Sequence, residues 1–161
     1  MQKINVGIIG ATGMVGQKFI QLLTDHPWFR ITQLAASSRN AGKSYHEALA
    51  EKQAAVDWIK DHRIFDMPVM DATADMDEIA AGVDIIFCAV EMPAKQVRKI
   101  EDEYAQREVV VVSANSAHRW TSDVPMLIPE INADHLQIIP VQRRRLGTKR
   151  GFVTVKPNCS I

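Results

Sequence analysis

Two stretches of the chain hold residues whose types and spacing could do chemistry. Near the start, Gly10, Gly13 and Gly16 stand three apart in Gly10-Ala11-Thr12-Gly13-Met14-Val15-Gly16. At the end, Cys159 sits in Lys156-Pro157-Asn158-Cys159-Ser160-Ile161. The glycine spacing suits a strand-to-helix turn over phosphates. One glycine permits the tight turn, another lets backbone approach a pyrophosphate, and a third lets the helix pack closely on the strand. Backbone N–H groups around Thr12, Met14 and Val15 would then face the phosphates; a plain structural turn is the alternative. A cysteine in a turn after a strand could act as a nucleophile, splitting one hard step into two easier ones through a covalent intermediate. On residue type alone it could equally be a structural thiol. Cys88, inside the apolar run Ile85-Ile86-Phe87, reads as structural.

A third stretch narrows the ligand. In Ala36-Ser37-Ser38-Arg39-Asn40-Ala41-Gly42-Lys43 no carboxylate appears, nor anywhere between Ile31 and His46. An NAD site usually has an acidic residue after its second strand, to accept from ribose hydroxyls. The hydroxyls of Ser37 and Ser38 with the guanidinium of Arg39 suit a 2′-phosphate instead, since arginine offers several donors and a permanent charge. The expected cofactor is therefore NADP rather than NAD.

These residues need a scaffold that brings them together. Ile4 to Ile9 reads as a buried parallel strand. Val15, Phe19, Leu22 and Leu23 recur at helical spacing, which predicts a helix over Gly13 to Thr24, ended by His26-Pro27. Further strands are expected at Phe29 to Ala36, Pro68 to Met70, Val83 to Val90 and Glu108 to Ser113. Ser37 to Ser44 reads as a loop, and Asp75 to Ala80 as a brief helix. Pro93 suits a helix start, with the helix running over Ala94 to Gln106. Ala48, Leu49, Val56, Trp58 and Ile59 fit one or two short helices between Tyr45 and Met67. Met126 to Asn132 and Gly151 to Val155 look extended, and Arg143 to Arg150 looks like an exposed loop. Strands alternating with helices predict an α/β fold, a doubly wound, mostly parallel sheet of the Rossmann type.

Composition restricts the class of function. The chain has 161 residues, 47% of them hydrophobic and 24% charged, with a net charge of zero. That suits one soluble domain with a full core and offers no positive field for nucleic acid. Apolar runs are too short to span a bilayer, no signal-peptide pattern opens the chain, and two cysteines make no disulfide framework. The expected compartment is the cytoplasm. The five histidines show no metal-ligand spacing. His118 reads as a solvated loop residue, and Trp28, Trp58 and Trp120 as packing residues. The arginine run lacks interleaved aromatics and reads as solvated rather than as a nucleic-acid surface.

The motifs together resemble a known family. Gly10 to Gln17, Ala36 to Lys43, Val112-Ser113-Ala114-Asn115-Ser116-Ala117-His118-Arg119, Ile128-Pro129-Glu130-Ile131-Asn132-Ala133-Asp134-His135-Leu136 and Lys156 to Ser160 are similar, in order, to the archaeal and fungal branch of the aspartate-semialdehyde dehydrogenases. Family members often carry Ser-Asn-Ala where this chain has Ser113-Ala114-Asn115. The resemblance implies that residues 1–161 are an NADP-binding domain ending just after the nucleophile. The family's catalytic and dimerisation domain would be absent, and with it the histidine acid–base and the arginine for the substrate carboxylate. It implies Cys159 as nucleophile, attacking the aldehyde to give a thiohemiacetal; hydride transfer to NADP then leaves a thioester that inorganic phosphate cleaves. Arg119 would hold phosphate and Asn115 would line the same pocket. It also implies a small-molecule substrate, L-aspartate 4-semialdehyde, a homo-oligomer at full length, and little or no turnover by these residues alone. N-acetyl-γ-glutamyl-phosphate reductase typically has glycine where this chain has Asn158; malonyl- and succinyl-CoA reductases share the glycine turn and the thioester chemistry. A non-catalytic NADP-binding module is the reading from another class.

Overall fold

The computed structural model describes residues 2–52 and 61–160. In chain order the elements are β1 (Ile4–Ile9), α1 (Met14–Leu23), β2 (Phe29–Ala36), α2 (Tyr45–Ala50), α3 (His62–Phe65), β3 (Val69–Asp71), α4 (Met76–Ala81), β4 (Ile85–Cys88), α5 (Ala94–Gln106), β5 (Val110–Ser113), α6 (Pro129–Asn132), α7 (Ile139–Leu146) and β6 (Phe152–Val155). Val56, Trp58 and Ile59, offered above as helical, lie outside the described residues, as does Ile161.

The six strands form one sheet in the order β3-β2-β1-β4-β5-β6, every neighbouring pair parallel. This is the Rossmann order, with its switch point between β1 and β4. Its cause is legible in the strands. Val6 and Ile8 pack with Ile20 and Leu23 of α1 and Tyr45 and Leu49 of α2 on one face. Ile9, Ile86, Cys88 and Val111 pack with Ile79 of α4 and Val97, Ile100 and Tyr104 of α5 on the other. Both faces are covered, so the buried positions of the strands are almost all apolar. The register aligns their ends: Ile9 pairs with Cys88, Cys88 with Ser113, and Ser113 with Val155. Residues that follow these four therefore leave the sheet along one edge.

Four expectations need correction. Arg143 to Leu146 are helical, in α7, rather than loop. Gln142 anchors that helix: fully buried, it donates to Asp123 O and Val153 O and accepts from Val153 N–H. Arg145 pairs with Asp123 and Asp102, so much of the basic run is engaged within the fold. Pro129 to Asn132 form a helical turn rather than an extension, because Asn132 closes it from Ile128 N–H and onto Met126 O. His118 is buried, with Nδ1 3.0 Å from Thr121 Oγ1 and Nε2 3.3 Å from Arg98 O. Trp28 and Trp120 are 64% and 93% exposed and do not pack in the core; Trp58 lies outside the described residues.

Boundaries differ for local reasons. α1 ends at Leu23, before His26-Pro27, and Asp25 turns the chain at φ 57. β5 starts at Val110 because Glu108 turns at φ 64, and its carboxylate accepts from the backbone N–H groups of Lys149, Arg150 and Gly151. Those bonds hold the Glu108 carboxyl down at about 2. A carboxyl lowered by folding stabilises the fold fully above its ordinary value and loses that contribution as pH falls through the folded value. Glu108→Ala is therefore expected to lower the melting temperature at neutral pH. The gap to wild type should close between pH 4.5 and about 2. Melts across that range check it, and a gap independent of pH would contradict the assignment.

Candidate functional site

At the switch point the strand ends open into a cleft of about 530 Å³. Gly10, Thr12, Gly13, Met14 and Val15 of the β1–α1 turn line one wall. Ser37 and Arg39, after β2, and Lys52, after α2, line the second. Ala89 to Met92, after β4, and Asn115, after β5, complete it. Ligands of doubly wound sheets bind at this place, outside the carboxyl ends of the strands where the winding reverses.

The turn is shaped by contacts that tolerate only glycine. Gly10 has φ +87, and a Cβ there would meet Ala89 O at 2.4 Å. A Cβ on Gly16 would meet Gly10 O at 2.2 Å, so this glycine lets α1 sit directly on the turn. Gly13 is different: the nearest atom to a Cβ is Gly10 O at 3.3 Å, and the rest of its surroundings are open. Two interactions hold the turn from below. The buried Tyr45 hydroxyl donates to Ala11 O at 2.9 Å, as buried tyrosines generally must find a partner. Thr12, nearly buried, accepts on Oγ1 from Asn40 Nδ2 at 3.3 Å and from Lys52 Nζ at 3.1 Å. Thr12 thus ties the glycine turn to the loop carrying Arg39.

The electrostatics favour an anion. Gly13 gives α1 no side-chain cap, and the first turn of α1 holds no acidic residue. Its first N–H groups are left to the cleft with the positive end of the helix dipole. Arg39 and Lys52 add two cations on the β2 side, where the lining holds no carboxylate; its acidic residue, Glu91, stands across the cleft after β4. Lys52 was not found from the sequence: it lies in the stretch between Tyr45 and Met67, whose pattern does not say which residues return to the sheet edge. The donor set fits the phosphates of a dinucleotide lying over the start of α1.

Four other sequence-selected residues, Gly16, Ser38, Arg119 and Cys159, stand apart from this lining. Gly16 lies beneath the turn, and Ser38 begins a short 3-10 turn over Ser38–Asn40. Arg119, half-buried, donates from Nε to Lys156 O at 3.2 Å; its two terminal nitrogens make no hydrogen bond among the described residues. Lys156 N–H in turn donates to Ser113 O at 3.1 Å, so the 113–119 loop and the cysteine loop are braced together. Cys159 is exposed after β6, with Sγ 3.4 Å from Asn158 Oδ1. Asn115 sits between the cleft and a buried carboxylate, donating from Nδ2 to Glu101 Oε1 at 2.9 Å. Among the described residues no group of three or more His, Cys, Asp or Glu is placed to hold a metal.

Comparison with known proteins agrees with this layout. The profile of the family "Semialdehyde dehydrogenase, NAD binding domain" matches residues 5–139. An aspartate-semialdehyde dehydrogenase of Archaeoglobus fulgidus is 43% identical over 98% of this chain and 43% of its own length. That of Methanothermobacter thermautotrophicus is 46% identical over 98% of this chain and 42% of its own. The chain thus spans less than half the length of these curated relatives. Among solved structures, aspartate semialdehyde dehydrogenase with NADP from Candida albicans superposes with a TM-score of 0.82 at 31% identity. It covers 99% of this chain and 44% of that one. No helix among the described residues is long and apolar enough to cross a membrane.

Proposed function

The chain belongs to the semialdehyde dehydrogenase family through its NAD-binding domain, and on that footing we propose that it is the NADP-binding, nucleophile-bearing part of an aspartate-semialdehyde dehydrogenase. The observation that carries this reading is the switch-point cleft, cationic and free of carboxylates on its β2 side, with the cysteine loop braced to its β5 side. The NADP named with the Candida albicans relative supports the same cofactor.

Each group has a role in this reading. Gly10, Thr12, Gly13, Met14, Val15 and Gly16 form the turn that receives the pyrophosphate. Ser37, Ser38 and Arg39 take the 2′-phosphate, with Lys52 beside them. Cys159 attacks the aldehyde carbon of L-aspartate 4-semialdehyde; a thiolate serves both as nucleophile and, once acylated, as leaving group. Bound NADP supplies the hydride acceptor. The free terminal nitrogens of Arg119 hold the phosphate that cleaves the thioester, a bidentate task suited to a guanidinium. Residues 1–161 form one domain in this proposal, and the acid–base histidine, the substrate-carboxylate arginine and the subunit interface belong to the family's second domain. The whole enzyme would be a cytoplasmic homo-oligomer, working in reverse toward lysine, methionine and threonine; the 161 residues alone would bind NADP and turn over little.

Calorimetric titration with NADP and NAD tests the cofactor assignment. NADP is expected to bind more tightly. Arg39→Ala is expected to weaken NADP by about 10- to 100-fold, the range of a lost charge-assisted hydrogen bond, while moving NAD by less than about twofold. An unchanged ratio of the two affinities would rule out Arg39 as the 2′-phosphate residue.

A further inference from the structure

Behind the β4–β5 side of the cleft lies a buried carboxylate that the reaction above does not use. Glu101, on the inner face of α5, is fully buried, a rare position for this residue type. Its Oε1 accepts from Ser113 Oγ at 2.5 Å and from Asn115 Nδ2 at 2.9 Å. Its Oε2 has no hydrogen-bond partner among the described residues, and His118 Nε2 stands 4.0 Å away. Burying a carboxylate with one oxygen unsatisfied is unfavourable. A similar-sized apolar side chain would fill the space without that penalty. The contact with the loop after β5 is what distinguishes Glu101 from such a residue.

That contact fixes the Asn115 amide. The amide nitrogen is the atom turned toward the carboxylate, donating to Oε1. The same nitrogen lies 3.6 Å from Cys88 Sγ. Asn115 N–H donates to Ser113 Oγ at 3.0 Å, which leaves the Ser113 hydroxyl proton for Glu101. Nδ2 is thus engaged inward, Asn115 lines the cleft, and its Oδ1 is an acceptor with no hydrogen bond among the described residues. An acceptor is repelled by phosphate oxygens and suits an N–H donor. Arg39 places the 2′-phosphate end of the dinucleotide over β2, so its other end crosses the switch point toward β4 and β5, where Asn115 stands.

We infer that Glu101 is a positioning residue, holding Asn115 so that Oδ1 accepts from the carboxamide N–H of the nicotinamide ring. The inference rests on the dinucleotide reading of the cleft and changes what Asn115 is expected to recognise, from an anion to a donor. The probes are NADP and its 3-acetylpyridine analogue, in which a methyl group replaces the carboxamide nitrogen. Titrated calorimetrically against the wild-type chain, NADP should be preferred by about 10-fold, one hydrogen bond. The preference should fall to near one in Asn115→Ala and in Glu101→Met. It should persist in Glu101→Gln, whose amide oxygen can accept both bonds. The ratio is taken within each variant, so partial loss of folded protein cancels. A wild-type ratio near one, or an unchanged ratio in Asn115→Ala, overturns the inference. So does an intact ratio in Asn115→Ala with weakened binding of inorganic phosphate, which would return Asn115 to the anion. Failure of both nucleotides to bind the folded wild-type chain overturns the dinucleotide reading itself, and is distinct from those results.

Discussion

Iodoacetamide is expected to alkylate the native chain at Cys159 alone, and Cys159→Ala is expected to remove both that reaction and, in the full-length enzyme, turnover. The two cysteines occupy opposite surroundings. Cys159 is exposed on the loop after β6. Cys88 is fully buried at the end of β4; burial, with Glu101 adding to it, pushes its thiol well above the ordinary range. Reagent reaches Cys88 only when the core opens, so its alkylation should be slower by on the order of 10³-fold or more. For the protein extended to the length of its relatives, phosphate-dependent NADP reduction should fall by at least about 10⁴-fold in Cys159→Ala, since the proposed acyl intermediate forms on that sulfur. NADP affinity should stay within about twofold, because the cleft lining does not include Cys159. Peptide mapping of the alkylated chain and steady-state rates check the two halves separately. Turnover that survives the substitution would end the thioester reading, and preferential labelling of Cys88 would contradict the fold.

What the sequence made legible divides along physical lines. Strand and helix positions on β1, α1, α5 and β5 came through because each has a dominant local signal, a mostly apolar run, a helical repeat or a proline at the helix start. Both are local properties. The glycine turn was legible because its spacing encodes contacts within a few residues, Gly16 on Gly10 being one. Arg39 could be singled out by what its loop lacks. The failures involve side chains whose partners are distant in sequence. His118 looked like a loop histidine because nothing local shows that α5 passes over it; besides the nearby Thr121, its contacts come from Arg98 and Asp102. The arginine run looked solvated because its charges hide Gln142, whose burial depends on Asp123 and Val153. Lys52 and Glu101 were missed for the same reason. One approaches Thr12 from 40 positions away, and the other reaches Asn115 from 14. Charged residues are solvated by default, and only the packed sheet edge turns these two toward the site.

The glycine turn also permits the sharpest separation of scaffold from site. Gly10→Ala is expected to destabilise the fold by about 3–5 kcal/mol, among the largest effects of a single substitution. Two penalties combine. The left-handed backbone at φ +87 disfavours any side chain. The new Cβ would also press on Ala89 O and on the Ala89 carbonyl carbon, 2.4 and 2.6 Å away. Ala89 has little room to yield, since its own N–H donates to Ile9 O at 2.8 Å and holds β4 against β1. Gly13→Ala should behave in the opposite way. Gly13 has an ordinary extended backbone, φ −79 and ψ 163, and a Cβ there has only Gly10 O as a near neighbour, at 3.3 Å. Stability should change by less than about 1 kcal/mol. The methyl would, however, stand in the space that lets a pyrophosphate approach the backbone, and NADP affinity should fall by about 10-fold or more. Urea unfolding and calorimetry on the two variants measure both quantities. If Gly13→Ala bound NADP as the wild type does, the turn would be a structural corner alone, whatever the resemblance of its sequence.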